Sequence, residues 1–244
     1  MNNHSNNIKY DFSNRIVLVT GGTGALGSSI TKAFVESNAT VISSYIHEKE
    51  EILIQKAENK SSIQLIKSDI TKEEEVERLV SIVMDKYGHI DILVNVVGGY
   101  IGTKSIVELD EKEWDLMMTM NLKSAFLISK HVTRHMISSK YGKIIHISSK
   151  KGLHAEGSDS AYAVSKSGLI RLVESLSEET KESNINVNCI MPIIIDTQAN
   201  RKAMPNADFN KWVKPDDLAN VVLFLSSEEA KTITGAAIPT FGVL

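Results

Sequence analysis

A single-domain α/β chain, a doubly wound parallel sheet with helices on both faces, is what this 244-residue sequence predicts. Three observations carry the prediction. Short apolar, β-branched runs alternate with longer amphipathic ones. The stretches between successive runs are long enough for parallel crossovers. No proline-rich, low-complexity or like-charge block splits the alternation, and the chain holds only four prolines.

The first run, IVLV at residues 16–19, has the composition of a strand buried on both faces and breaks at Thr20 into the glycines of GGTGALG. Residues 25–37 then read as a helix, whose N-terminal N–H groups and positive dipole end would point at a phosphate on the turn. The second strand is expected over 40–44 and a charged surface helix over 48–59. The third strand, 63–67, ends in Ser68-Asp69-Ile70. Thr71 to Glu74 has capping-box spacing and opens a helix that Gly88 stops. Residues 90–97 form a fourth strand that again meets glycines, Gly98 and Gly99. A long helix covers 111–138, a fifth strand 143–147 ends in Ser148-Ser149, a helix covers 160–182, and a sixth strand, 186–191, ends at Pro192. Ligands of such sheets bind beyond the carboxyl ends of the strands, where Thr20, Asp69, Asn95, Ser149 and Pro192 all fall.

Composition excludes several functions. With 27 Lys+Arg against 30 Asp+Glu and a net charge of -3, no electrostatic nucleic-acid or membrane partner is expected. No apolar run approaches the ~18 residues of a membrane span. The lone cysteine, Cys189, excludes an intrachain disulfide framework and reads as core within its apolar run. The polar segment 1–14 lacks a signal-peptide core and is expected to be flexible, and the protein to be cytoplasmic. No metal is expected.

Tyr162-Ala-Val-Ser-Lys166 sets a phenol and an ammonium at i and i+4 on one helical face. A tyrosine with a pKa of about 10 exchanges protons poorly near neutrality, and a nearby cation stabilises the phenolate; two units are about 2.7 kcal/mol. Tyr-x-x-x-Lys alone is common in helices. Here it accompanies a glycine-rich turn, Asp69, Asn95-Val96-Val97-Gly98, Asn121, Ser149 and the segment from Pro192 to Thr197, all in order.

That ordered set resembles the short-chain dehydrogenase/reductase family over nearly all of the chain from Arg15. The resemblance implies a Rossmann-type domain over 15–244 with a substrate lid at about 197–214. It makes Tyr162 the general acid/base, Ser149 a hydrogen-bond partner of the substrate oxygen, Lys166 the holder of the nicotinamide ribose and depressant of the Tyr162 pKa, and Asn121 the holder of a relay water through its helix backbone. Gly21, Gly24 and Gly27 would border the pyrophosphate, with Thr23, Ala25 and Leu26 in the same turn. Asp69 and Ile70 would contact the adenine, Asn95 and Gly98 flank the adenosine ribose, and Ile194 and Thr197, after Pro192, position the carboxamide. Plainer readings exist: Asn121 and Asp69 as caps, Ser149 as a turn residue, Lys166 as a surface lysine.

The chain departs from the family pattern in three places. Its turn has T-G-x-x-G-x-x-G spacing, its Asn-Asn-Ala-Gly motif reads Asn-Val-Val-Gly, and its Pro-Gly step reads Pro192-Ile193. The turn, the VVGGY segment and the stretch after Pro192 resemble the dihydropteridine reductase branch. That branch typically lacks counterparts of Ser149 and Asn121. A carbonyl or alcohol substrate is therefore expected first, a quinonoid pterin second and a non-catalytic nucleotide sensor third. Tyr100, His154, Glu156, Met204 and Trp212 are the expected pocket residues. Tyr45 stands where NAD-preferring members carry Asp or Glu. With Ser43 and Ser44 beside it and His47 and Lys49 nearby, NADP(H) is expected to be modestly preferred over NAD(H). The family's helix pairing implies a homotetramer built on 111–138 and 160–182.

Overall fold

The computed structural model describes residues 9–46, 63–102 and 104–242. The helix expected over 48–59, with His47 and Lys49, lies outside them. Among the described residues seven strands form one sheet: β1 (Ile16–Thr20), β2 (Thr40–Tyr45), β3 (Ile63–Lys67), β4 (Ile92–Asn95), β5 (Gly142–Ile147), β6 (Ile185–Pro192) and β7 (Ala237–Thr240). They lie in the order β3-β2-β1-β4-β5-β6-β7, and every neighbouring pair is parallel. The sheet grows outward in both directions from the β1–β4 pair, so the connections diverge there and leave a crevice at the carboxyl ends.

The alternation of side chains along each strand divides the core. Leu18, Ile42, Leu93 and Ile144 face one side, where they meet Leu79 and Val83 of α2 (Glu73–Tyr87), Ile128 and Val132 of α4 (Ser124–Ser139), and Val173 of α5 (Ser160–Thr180). Val17, Val41, Ile92 and Ile145 face the other, against Ile30 and Phe34 of α1 (Ala25–Glu36) and Leu218 and Val222 of α7 (Pro215–Ser226). The remaining helices are α3 (Glu111–Met118) and α6 (Gln198–Ala203). Cys189 is buried in the first layer, and burial raises its thiol pKa to about 12, so it is packing and not a nucleophile.

Several sequence expectations are corrected. The N-terminal stretch is ordered well before residue 15: Phe12 is buried, its ring meets Phe34 edge-on at 5.1 Å, and its N–H donates to the Ser37 carbonyl. No capping box forms at Thr71. The N-cap of α2 is Lys72, the Thr71 hydroxyl donates to Asp69, and the Asp69 N–H donates to the Glu75 carboxylate at 2.7 Å. The fourth strand runs only from Ile92 to Asn95, with the Asp91 carboxylate before it accepting from the Ile16 N–H and from Arg15. β7 and α7 add to the elements the sequence predicts, and α7 opens with Pro215 at its first turn and with Asp216 and Asp217. The long helix after Asp110 is also not regular: residues Thr119–Lys123 form a π-helical turn, in which the Ser124 N–H donates to the Thr119 carbonyl.

Candidate active site

β1 delivers the chain to Gly21, whose φ of 64° lies in the left-handed region, and α1 begins after Gly24. Gly24 offers no side-chain cap and the first turn of α1 carries no acidic residue, so the free N–H groups and the positive end of the helix favour an anion. Gly27 is packed against the turn itself: a Cβ there would lie 2.1 Å from the Gly21 carbonyl oxygen. Thr23 and Leu26 are buried, Gly24 and Ala25 exposed. This cradle fits a dinucleotide pyrophosphate.

The polar residues expected around the adenosine are used differently. Ser43 is buried beneath Gly22, and Ser44 is buried with its Oγ accepting from the Gly21 N–H at 3.3 Å, so Ser44 braces the turn; of the three residues ending β2, Tyr45 alone is partly exposed. The Ile70 side chain is in the core. Asp69 caps its own turn: burial alone would raise its pKa, but hydrogen bonds from the Thr71 hydroxyl and N–H outweigh it and hold the carboxyl low. Asn95 is a buried strut. Sheet register sets Thr20, Asn95 and His146 side by side, the Thr20 hydroxyl donates to Asn95 Oδ1 at 2.5 Å, and the Asn95 amide meets His146 Nδ1 at 3.2 Å.

The four residues expected to carry the chemistry converge. Asn121 lies in the π turn, fully buried. Its Oδ1 accepts from the Gly99 N–H at 2.9 Å, and its Nδ2 donates to the Gly99 carbonyl at 3.1 Å and to Ser165 Oγ at 3.0 Å. Its side chain therefore ties the loop after β4 to α5. A Cβ on Gly98 would lie 2.8 Å from Asn121 Oδ1 and 3.1 Å from Lys166 Nζ, so only glycine fits between them. Lys166 is buried on α5, donates to the Ile147 carbonyl at 2.8 Å and lies 5.9 Å from the Tyr162 ring centroid. Burial lowers its pKa to about 8. Burial raises that of Tyr162, against which a hydrogen bond from Ser149 and the charge of Lys151 act downward and the charge of Asp159 acts upward. Beside Lys166, the cation expected to acidify the phenol, Lys151 also stands where its charge favours the phenolate. Ser149 Oγ accepts from the Lys151 N–H at 3.2 Å, which leaves the serine proton free to donate.

Past β6, the chain from Pro192 turns back on itself. The Val213 N–H donates to the Ile194 carbonyl and the Asp196 N–H to the Val213 carbonyl. Thr197 caps α6, its hydroxyl accepting from the Asn200 N–H. Within this flap Arg201 pairs with Asp196 and covers the Phe209 ring at 4.7 Å, and Phe209 packs on Trp212 at 4.8 Å.

Residues 15–208 match the short chain dehydrogenase family. The chain belongs to the short-chain dehydrogenase/reductase family. It is 30% identical over 240 residues to the 3-oxoacyl-(acyl-carrier-protein) reductase FabG of Thermotoga maritima, covering 94% of this chain and 97% of that protein. It is 32% identical over 236 residues to the NAD-dependent glycerol dehydrogenase of Listeria innocua, covering 93% and 92%. The crystal structure of gox2181 superposes with a TM-score of 0.89 at 28% identity, covering 95% of each chain. As a short-chain dehydrogenase/reductase the protein is an oxidoreductase of a family that binds NAD(P).

Beyond the expected set, this short-chain dehydrogenase/reductase places Lys151 and Asp159 beside Tyr162. Two signals were available in the sequence. Lys151 follows Ser149 by two residues, and Asp159 directly precedes the helix that carries Tyr162. Among the described residues no group of three or more His, Cys, Asp and Glu is placed to hold a metal ion, and no helix is long and apolar enough to cross a membrane.

Proposed function

We propose that this enzyme transfers a hydride between NAD(P)(H) and a carbonyl or alcohol substrate, with Tyr162 as general acid/base. The reading is supported by the grouping of Tyr162 with Ser149 and with the buried Lys166, whose ammonium lies 5.9 Å from the Tyr162 ring centroid. The bound nicotinamide supplies or accepts the hydride. Tyr162 gives its phenolic proton to the carbonyl oxygen in reduction and takes the hydroxyl proton in oxidation. Ser149, its own oxygen already satisfied by Lys151, donates to the same oxygen and steadies its developing charge. Lys166 holds the ribose hydroxyls. Asn121, its side chain committed to Gly99 and Ser165, serves through the backbone of its widened turn.

The test is oxidation of NADPH and NADH by the purified protein with acetoacetyl-coenzyme A, diketones, quinones and a quinonoid pterin. Turnover with a carbonyl compound is expected. Turnover with the pterin alone would instead support the dihydropteridine-type reading, which the names of the relatives above do not favour. Tight dinucleotide binding with no turnover would support a sensor.

Two finer proposals accompany this reading. NADPH is preferred by about tenfold, roughly 1.4 kcal/mol, because β2 ends at Tyr45 without a carboxylate to repel the 2′-phosphate and no basic side chain stands at Gly24 to attract it. A higher kcat/KM for NADH on one substrate would refute this. The assembly is a homotetramer on the outer faces of α3 to α5, where Leu116, Phe126 and Val164 are 42%, 46% and 47% exposed. A monomer mass by light scattering would refute that.

A further inference from the structure

Three side chains beside the catalytic pair form a circuit that begins and ends on it. Ser149 Oγ accepts from the Lys151 N–H. The Lys151 ammonium pairs with the Asp159 carboxylate and lies 3.4 Å from Glu156. Asp159 Oδ1 accepts from the Tyr100 hydroxyl at 2.6 Å. The Tyr100 ring then stands edge to face on Tyr162, with centroids 4.9 Å apart and planes at 88°. Lys151 Nζ also lies 5.5 Å from the Tyr100 ring centroid.

The placement is specific. The three residues come from the loop after β4, the turn after β5 and the position just before α5, so the contacts depend on the folded chain. The Asp159 side chain is only 5% exposed, and a carboxylate so buried is costly unless each oxygen finds a partner, as both do here. Tyr100 is half exposed, and its hydroxyl bond to Asp159 is what holds its ring over Tyr162.

We propose that Tyr100, Asp159 and Lys151 are positioning residues that clamp the Tyr162 ring against Ser149, so that both hydroxyls face one substrate oxygen. The proposal rests on the catalytic reading of Tyr162 and Ser149. It also gives the clamp an electrostatic side. The charged groups facing Tyr162 are Lys151 from the turn after β5, Asp159 from the start of α5 and Lys166 from within α5; of these Lys151 favours the phenolate and Asp159 opposes it.

The test uses the full chain. Tyr100→Phe keeps the ring and drops the tether; because it also leaves one oxygen of the buried Asp159 carboxylate without its partner, its kcat is read on protein whose thermal unfolding is measured beside wild type. With acetoacetyl-coenzyme A, or the panel compound turned over fastest, it should lower kcat about tenfold at unchanged cofactor KM, as expected for a small misplacement of a reacting group. A second readout needs no substrate. In 13C-tyrosine-labelled protein, with the Tyr162 resonance assigned through Tyr162→Phe, Lys151→Ala should raise the Tyr162 titration midpoint by about one pH unit, and Lys151→Arg should restore it. Wild-type kcat in Tyr100→Phe, or an unmoved midpoint in Lys151→Ala, overturns the clamp. Full turnover by Tyr162→Phe would instead overturn the catalytic reading beneath it.

Discussion

Asn95 and His146 face each other across β4 and β5, the asparagine amide donating to Nδ1 at 3.2 Å, while Nε2 meets Ser129 Oγ at 3.1 Å. That arrangement suits a neutral ring with its proton on Nε2. Protonation would set a second N–H against the Asn95 amide inside the core, and burial, helped by the Lys166 charge, lowers the His146 pKa to about 3. The unfolded chain takes up this proton near pH 6.5 and the folded one does not, so stability is fully present above 6.5 and falls below it. We expect a loss of about 1.4 kcal/mol per pH unit between about 6.5 and 3. Urea unfolding at neutral and mildly acidic pH should show it, and His146→Gln should flatten that slope. An equal slope in the variant would count against the assignment.

Tyr162→Phe should abolish turnover and leave dinucleotide affinity nearly unchanged, since it removes a proton and little volume. Residual activity within about tenfold of wild type, under about 1.4 kcal/mol of lost transition-state stabilisation, would sink the general-acid role.

The two glycines flanking Ala25 and Leu26 should respond oppositely to alanine. Gly27→Ala drives a methyl into the Gly21 carbonyl and should abolish dinucleotide binding. At Gly24 the same methyl meets only that oxygen, at 3.4 Å, and should be tolerated. Calorimetric titration with NADPH measures both, and tight binding by Gly27→Ala would contradict the packing described.

Dinucleotide binding should take up protons at alkaline pH. Lys166, with a pKa lowered to about 8 in the free protein, has lost much of its charge above that value, and ribose hydroxyls accepting from its ammonium favour the charged form. Titration at about pH 8.5 in buffers of different ionisation enthalpy should show proton uptake, absent at about pH 6.5 and absent in Lys166→Arg. No uptake at the higher pH would count against Lys166 as the holder of the ribose.

β1, β4, β5 and β6 were legible because each is a largely apolar run buried on two faces. Thr20, Asn95 and Ser149 could be grouped because parallel strands end at one edge, and Tyr162 and Lys166 joined them through the family's ordered motifs. β7 was not legible: its four residues include Pro239 and are mostly half-exposed, so they lack the pattern that marks β1 or β4. Nor were the contacts that Asn95 and Asp69 make within the fold. A polar residue at a strand end can face a ligand or a neighbour, and Asn95 finds Thr20 and His146, 75 and 51 residues away along the chain. The Lys151–Asp159–Tyr100 circuit is likewise a product of tertiary contact.

The π turn at Thr119–Lys123 gives the helical run from Glu111 to Ser139 two angular phases. Each residue of a regular helix advances the next by about 100°, so one residue absorbed in a wider turn rotates everything before it relative to everything after it. Met117 and Ala125 are both buried under this offset. Deleting a single residue between Thr119 and Lys123 would leave a smoother helix and a worse enzyme: the first half would swing its buried side chains sideways while Asn121 lost its hold on Gly99. Helix length in this segment is thus a setting of rotation, and a comparison of related chains that aligns it as uninterrupted α-helix will misplace one side of it by about a quarter turn.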